Sequence, residues 1–203
     1  MIISSCPADQ QRHPQIHDLQ LPYLIEGSLI DPESFAALFD RYSAMLYRYV
    51  SRRLGPEAAE DVVGESFLVA FSKRHRYDLA QWDARPWLFG IATKLVARHH
   101  RTEAARYRAL RRSPADGPVE GPADRVAAGV TASASRPRLA EALAVLPRRD
   151  LDVLLLVAWG DLAYEEVARA LGIPVGTVRS RLNRARRKVR AALGDIDPTR
   201  EEA

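Results

Sequence analysis

From Asp31 onward the apolar positions fall at helical spacing. Phe35, Leu38, Phe39, Tyr42, Met45, Leu46, Tyr49 and Val50 share one side of a helix that Asp31-Pro32-Glu33 opens and Gly55-Pro56 closes. A second helix is predicted from about Glu57 to Lys73, burying Val62, Val63, Phe67, Ala70 and Phe71. The pattern breaks between Arg76 and Ala84, which reads as a loop. A third helix runs from about Arg85 to Arg112, with Pro86 in its first turn and Trp87, Leu88, Ile91 and Leu95 on its apolar side. Periodicity then stops until Leu139. From there it predicts helices at about 138–146, 148–159, 164–171 and 175–193. Alternation of the strand type appears nowhere.

Composition divides the chain further. Residues 113–137 hold Pro114, Pro118, Pro122 and Pro137 with Gly117, Gly121 and Gly129, a flexible linker by composition. Residues 1–30, with Pro7, Pro14 and Pro22, read as a mostly irregular tail, and 195–203 as a C-terminal tail. The predicted fold is all-α: two small helical domains, 31–112 and 138–194, joined by that linker. With 47% apolar and 28% charged residues the balance is that of a globular chain. The single cysteine, Cys6, excludes a disulfide framework and points to the cytoplasm. No apolar run is long enough for a membrane span, and no signal peptide is visible, so no membrane insertion is expected.

Charge is unevenly spread. Residues 162–193 carry eight Lys/Arg against two Asp/Glu, and residues 73–112 carry eleven against three, while the remainder is net acidic. Two basic blocks would place positive potential where a polyanion could be held.

The stretch from Tyr164 to Leu182 has helix-turn-helix grammar. Gly172 suits a left-handed turn position, and Ile173 can pack beneath the turn. On the last helix Val178, Leu182, Ala185 and Val189 fall on one side and must face Val167, Ala168 and Leu171. The opposite side presents Thr177, Ser180, Asn183, Arg184 and Arg187, flanked by Arg179 and Arg181. Hydroxyls, an amide and arginines on an outward helix suit the major groove, and Lys188 suits phosphates. Asp61 and Glu65, with Glu57, form an acidic stripe on the second helix.

Enzyme readings find no support. His99, His100 and Glu103 are too few and too divergent for a metal site, since adjacent helical histidines point about 100° apart. There is no glycine-rich phosphate loop and no nucleophile with a base, so no catalytic residue, metal or cofactor is expected.

These residues have a familiar order. Asp161-Leu162-Ala163-Tyr164-Glu165-Glu166-Val167-Ala168, then Gly172-Ile173 and Val175-Gly176-Thr177-Val178-Arg179-Ser180-Arg181-Leu182-Asn183-Arg184, closely resembles the −35 reading domain of bacterial RNA polymerase sigma factors. The compact extracytoplasmic-function (ECF) group is the nearest likeness. Ala59-Glu60-Asp61-Val62-Val63-Gly64-Glu65-Ser66-Phe67-Leu68 resembles that family's polymerase-binding helix, and Trp87-Leu88-Phe89-Gly90-Ile91-Ala92 the start of its −10 element helix. Some positions depart from the pattern. Pro174 stands where a Ser or similar cap is usual, Gly64 for Gln, Gly90 for Arg and Arg98 for Asp.

The resemblance implies a sigma factor that binds core RNA polymerase and directs promoter-specific initiation. It implies −35 contacts at Thr177, Arg179, Ser180, Arg181, Asn183, Arg184, Arg187 and Lys188. The loop Tyr77, Asp78, Leu79, Ala80, Gln81 and Trp82 would capture an unstacked −10 base. Trp87 would add an aromatic face, and Lys94, Arg98 and Arg101 would meet phosphates. Asp61, Glu65, Phe67 and Leu68 would dock on the polymerase. An anti-sigma factor is a further partner the resemblance suggests. The alternative on residues alone is a self-sufficient helix-turn-helix transcriptional regulator, and the two readings part on whether core polymerase is needed.

Overall fold

The computed structural model describes residues 21–110 and 136–193, all of them in helices or short connections with no strand among the described residues. The expected linker, apart from its last two residues, lies outside the described residues. So do residues 1–20 and 194–203.

One expectation is corrected at the start of the chain. Residues 21–30 are not irregular: α1 spans Leu21–Gly27. The reason is local burial and bonding. Ile25 is 1% exposed, the Ser28 hydroxyl donates to the Ile25 carbonyl at 2.6 Å, and Arg74 Nε donates to the Ser28 carbonyl at 3.2 Å. Prolines at the flanks hid a short apolar anchor.

Asp31 then caps a 3-10 turn, Pro32–Phe35, accepting from the Glu33 N–H at 3.2 Å and the Ser34 hydroxyl at 2.9 Å. The chain enters α2, Ala36–Leu54, which buries Leu38, Tyr42, Leu46, Tyr49 and Val50 at the predicted spacing. Gly55, at φ 84°, turns the backbone into α3, Pro56–Lys73. After a single 3-10 turn at Arg74–Arg76 and the loop 77–84 comes α4, Arg85–Leu110. α2, α3 and α4 pack on one another as the N-terminal bundle.

The C-terminal bundle comprises α5 (Arg136–Ala144), α6 (Arg148–Ala158), α7 (Tyr164–Leu171) and α8 (Val175–Leu193). α5 begins slightly before its predicted start, inside the composition-defined linker. Gly172 adopts the left-handed conformation (φ 66°, ψ 42°) that the sequence demands of it, and its N–H closes back on the Ala168 and Arg169 carbonyls. α8 lies across α5, α6 and α7, burying Val178, Leu182 and Ala185.

The two bundles are not apart. One buried cluster runs without a break from Ile25 in α1 to Leu182 in α8, so α4 and α7 share a core. Periodicity along one helix names a buried face but not its neighbour, and a face that seals against another bundle looks the same as one sealed within its own.

Candidate nucleic-acid and polymerase interfaces

On α8 the side chains of Arg179, Ser180, Asn183, Arg187 and Lys188 are exposed, and Thr177 and Arg181 are half-buried beside them. Their orientation follows from the burial of Val178, Leu182 and Ala185, which fixes the helix's roll. Two members of the set are already engaged. Ser180 Oγ donates to the Thr177 carbonyl at 3.0 Å. Arg184, its side chain 48% exposed, forks onto the buried Asp150 of α6, with Nε to Oδ2 at 2.7 Å and Nη2 to Oδ1 at 3.0 Å. These bonds raise the Arg184 pKa and hold it charged. Arg184 therefore ties α8 to α6 as well as standing on the outward surface. The sequence analysis missed Asp150. Its signal was an acid in the first turn of α6, easily taken for a helix-end charge alone.

The loop after α3 is built from its own side chains. Asp78 accepts from the Ala80 N–H and from Gln81 Nε2, both at 3.1 Å, and those bonds, Gln81 first, hold its carboxyl below the usual range. Tyr77 spans the loop, its hydroxyl donating to the Gln81 carbonyl at 2.7 Å and its ring packed on Trp87 at 5.0 Å. Leu79 and Ala80 are exposed at the tip, while Gln81, Trp82 and Trp87 are half-buried. Asp83, which sequence reasoning also missed, closes the loop. Its Oδ1 accepts from the Arg85 N–H at 2.8 Å and from the Tyr42 hydroxyl at 3.3 Å, and Arg85 Nε meets Oδ2 at 2.5 Å. An aspartate two residues before a helical Arg-Pro was the available sign.

Beyond the loop, Lys94, Arg98 and Arg101 lie on the exposed side of α4. Arg98 is paired with Glu65 of α3, so a position assigned to DNA and one assigned to the polymerase meet. Asp61 and Leu68 are exposed, Leu68 by 71%. Phe67 is different. At 6% exposure, with its ring 4.9 Å from that of Phe39, it belongs to the core and offers a partner little surface. Helical spacing put Phe67 on both lists, and packing decides for the interior.

Among the described residues no group of His, Cys, Asp and Glu could hold a metal ion, and no helix is long and apolar enough to cross a membrane.

Family models match both bundles in order. The model described as "Sigma-70 region 2" covers residues 38–106, and "Sigma-70, region 4" covers 136–189. The chain is 33% identical to the ECF RNA polymerase sigma factor SigL of Mycobacterium tuberculosis over 165 residues, spanning 81% of this chain and 91% of that one. The chain belongs to the ECF sigma factors. SigC of Mycobacterium tuberculosis is 33% identical over 153 residues, covering 75% of this chain and 78% of its own. Two solved folds align with TM-scores of 0.60. CnrH, in complex with the cytosolic domain of CnrY, is 24% identical and covers 87% of this chain and 97% of its own. The sigma factor RpoE of Bartonella quintana, in complex with the anti-sigma factor NepR, is 19% identical and covers 81% and 99%.

Region 2 places the 77–84 loop and α4 together, and region 4 places the turn at Gly172 and α8 together.

Proposed function

We propose that this ECF sigma factor engages core RNA polymerase through the exposed face of α3, with Asp61, Glu65 and Leu68 as contacts. It reads −35 DNA with α8 and holds the opened −10 strand on the 77–84 loop and α4. The catalyst for RNA synthesis is the polymerase, and this chain supplies the choice of start site, acting in the cytoplasm where that catalyst works. The observation that carries the reading is the pairing of regions 2 and 4, in order, with a recognition helix whose outward half is basic and whose inward half is buried.

Each role follows from the chemistry of its side chains. Arg179 and Arg181 can fork onto guanine or clamp phosphates, and Asn183 can pair with adenine. Trp82 and Trp87 offer ring faces to unstacked bases, with Lys94 and Arg101 near the backbone. An anti-sigma factor of the kind bound to RpoE is proposed as a further partner. Adding the purified chain to core polymerase and a library of promoter fragments tests the reading. Transcripts should begin at a defined sequence class only when the chain is present. Tight, specific duplex binding with no redirection of the polymerase would overturn it.

A further inference from the structure

The 77–84 loop is held at both ends, and the two ends hang from different elements. Its exit is fixed by Asp83, which binds Arg85 of α4 and Tyr42 of α2. Its entry follows Arg74, and Arg74 is tied back to α1. The guanidinium lies 3.8 Å from the centre of the Phe71 ring, with Nη1 donating to the Phe71 carbonyl at 2.6 Å and Nε to the Ser28 carbonyl at 3.2 Å. The Arg74 carbonyl in turn accepts from the Tyr77 N–H at 3.1 Å, and Tyr77 is the residue whose hydroxyl spans the loop to Gln81. One residue thus joins the end of α1, the last turn of α3 and the start of the loop. α1 is seated to receive it. Ile25 and Ser28 are buried, the Ser28 N–H closes on the Leu24 carbonyl at 3.0 Å, and Phe71 meets Phe35 edge to face at 5.3 Å. A helix of seven residues has too few internal hydrogen bonds to stand by itself, so burial and the bond from Arg74 are what hold α1.

We propose that Arg74 is a positioning residue for −10 capture: it carries the seating of α1 to the loop, so that α1 sets how well the loop holds an unstacked base. The proposal rests on the sigma-factor reading and goes beyond it, since α1 lies outside the stretch 38–106 that region 2 covers. An arginine in a basic run beside a DNA-reading loop is ordinarily counted as a phosphate contact. The geometry of Arg74 is different. Its Nε and Nη1 are turned to backbone carbonyls and its guanidinium covers a ring, whereas the neighbouring Lys73, His75 and Arg76 are exposed. A loop that captures a base gains by being ordered beforehand, because order imposed at the moment of capture is subtracted from binding. Tyr77 and Asp78 order the loop from within. The Tyr77 backbone, and the loop with it, is aimed by the turn that Arg74 fastens to α1.

Three variants of the full chain test it. Arg74→Ala removes the tie, Arg74→Lys keeps the charge without the two-pronged donor, and Ile25→Ala unseats α1 while touching neither the loop nor a charge. Amide exchange of Ala80 and Gln81, whose N–H groups both bond to Asp78, should quicken in Arg74→Ala and in Ile25→Ala, while exchange along α8 stays as in the parent. With core polymerase and a promoter carrying 2-aminopurine in the −10 element, both variants should lower the opening equilibrium by about twofold to thirtyfold, at unchanged affinity for core polymerase. A phosphate contact would behave otherwise: its loss would reduce the salt slope of promoter binding by about 1, Arg74→Lys would preserve that slope and the opening, and Ile25→Ala would do nothing. The expected results are a parental salt slope in Arg74→Ala and a loss of opening in Arg74→Lys. A slope reduced by about 1, full opening by Ile25→Ala, or parental amide exchange in both variants overturns the proposal. If Ile25→Ala or Arg74→Ala loses its helical circular dichroism, Ile25→Val and Arg74→Lys decide in their place. If the parent chain opens no promoter, the sigma-factor reading fails instead, and the amide exchange still judges the tie between α1 and the loop.

Discussion

Arg98 of α4 donates from Nη2 to both carboxylate oxygens of Glu65 on α3, at 2.5 Å and 2.6 Å. One residue stands on the proposed −10 surface and the other on the proposed polymerase surface, so the pair joins the two. Its side chains are 58% and 35% exposed, and a pair so open to water contributes little to stability. Arg98→Ala should therefore lower stability by less than about 1 kcal/mol in urea denaturation. Its effect belongs to binding. Freed of its partner, Glu65 changes what α3 offers the polymerase, so Arg98→Ala should alter core binding and −10 opening together. A loss confined to DNA would separate the two surfaces.

Arg181 and Arg184 should part company when each is changed to alanine. Arg181 forms no ion pair among the described residues, and its loss should weaken −35 binding by about 1–3 kcal/mol in a duplex titration, with Tm unchanged. Arg184 also neutralises Asp150, whose side chain is 4% exposed. Arg184→Ala leaves that carboxylate buried without its cation, so thermal unfolding should show a lower Tm as well as weaker binding. Equal thermal stability in the two variants would remove the positioning role from the Arg184–Asp150 pair.

These cases show what the sequence could tell. Helix positions, the left-handed Gly172 and the buried stripe Val178, Leu182 and Ala185 were legible because each rests on spacing or on one residue's backbone freedom. Partners distant along the chain were not. Asp150 and Arg184 are separated by 34 positions, and Arg53 and Asp152 by 99, so periodicity had nothing to say of either pair. Phe67 was ambiguous for the same reason, because a face is assigned by packing that the helix alone does not contain. Gly90 was visible as a departure, but its purpose needed the Ala170 carbonyl, whose oxygen a Cβ at position 90 would overlap.

His100 carries a pH prediction. Burial first, then the positive charges of Arg148 and Arg53 and the neighbouring His99, lower its pKa to about 4, against an ordinary value of 6.5. Between those values the unfolded chain binds a proton that the folded chain refuses, so stability rises with pH across that window and falls as the solution is acidified through it. Tm measured from pH 7 down to pH 4.5 should decline. His100→Gln should flatten that slope, and a slope identical in both proteins would assign the acid sensitivity to other groups.

Within the −10 loop, Tyr77 and Trp82 should fail in different ways. The Tyr77 hydroxyl holds the Gln81 carbonyl at 2.7 Å, and burial, with Asp83, keeps that phenol protonated well above its ordinary range. It is a strut for the loop. Tyr77→Phe keeps the ring against Trp87 but removes the strut, at a cost of about 0.5–1.5 kcal/mol of folding stability. Trp82 makes no hydrogen bond among the described residues and is half-buried, leaving ring surface for a base. Trp82→Ala should cost about 1–3 kcal/mol in strand opening, the worth of one base–aromatic stack. A 2-aminopurine in the −10 element reports opening directly. Trp82→Ala should suppress its fluorescence rise at unchanged Tm, whereas Tyr77→Phe should lower Tm and slow the rise without abolishing it. Full opening by Trp82→Ala would move the stacking role to Trp87, whose ring already leans on Tyr77 and must turn away from it to receive a base.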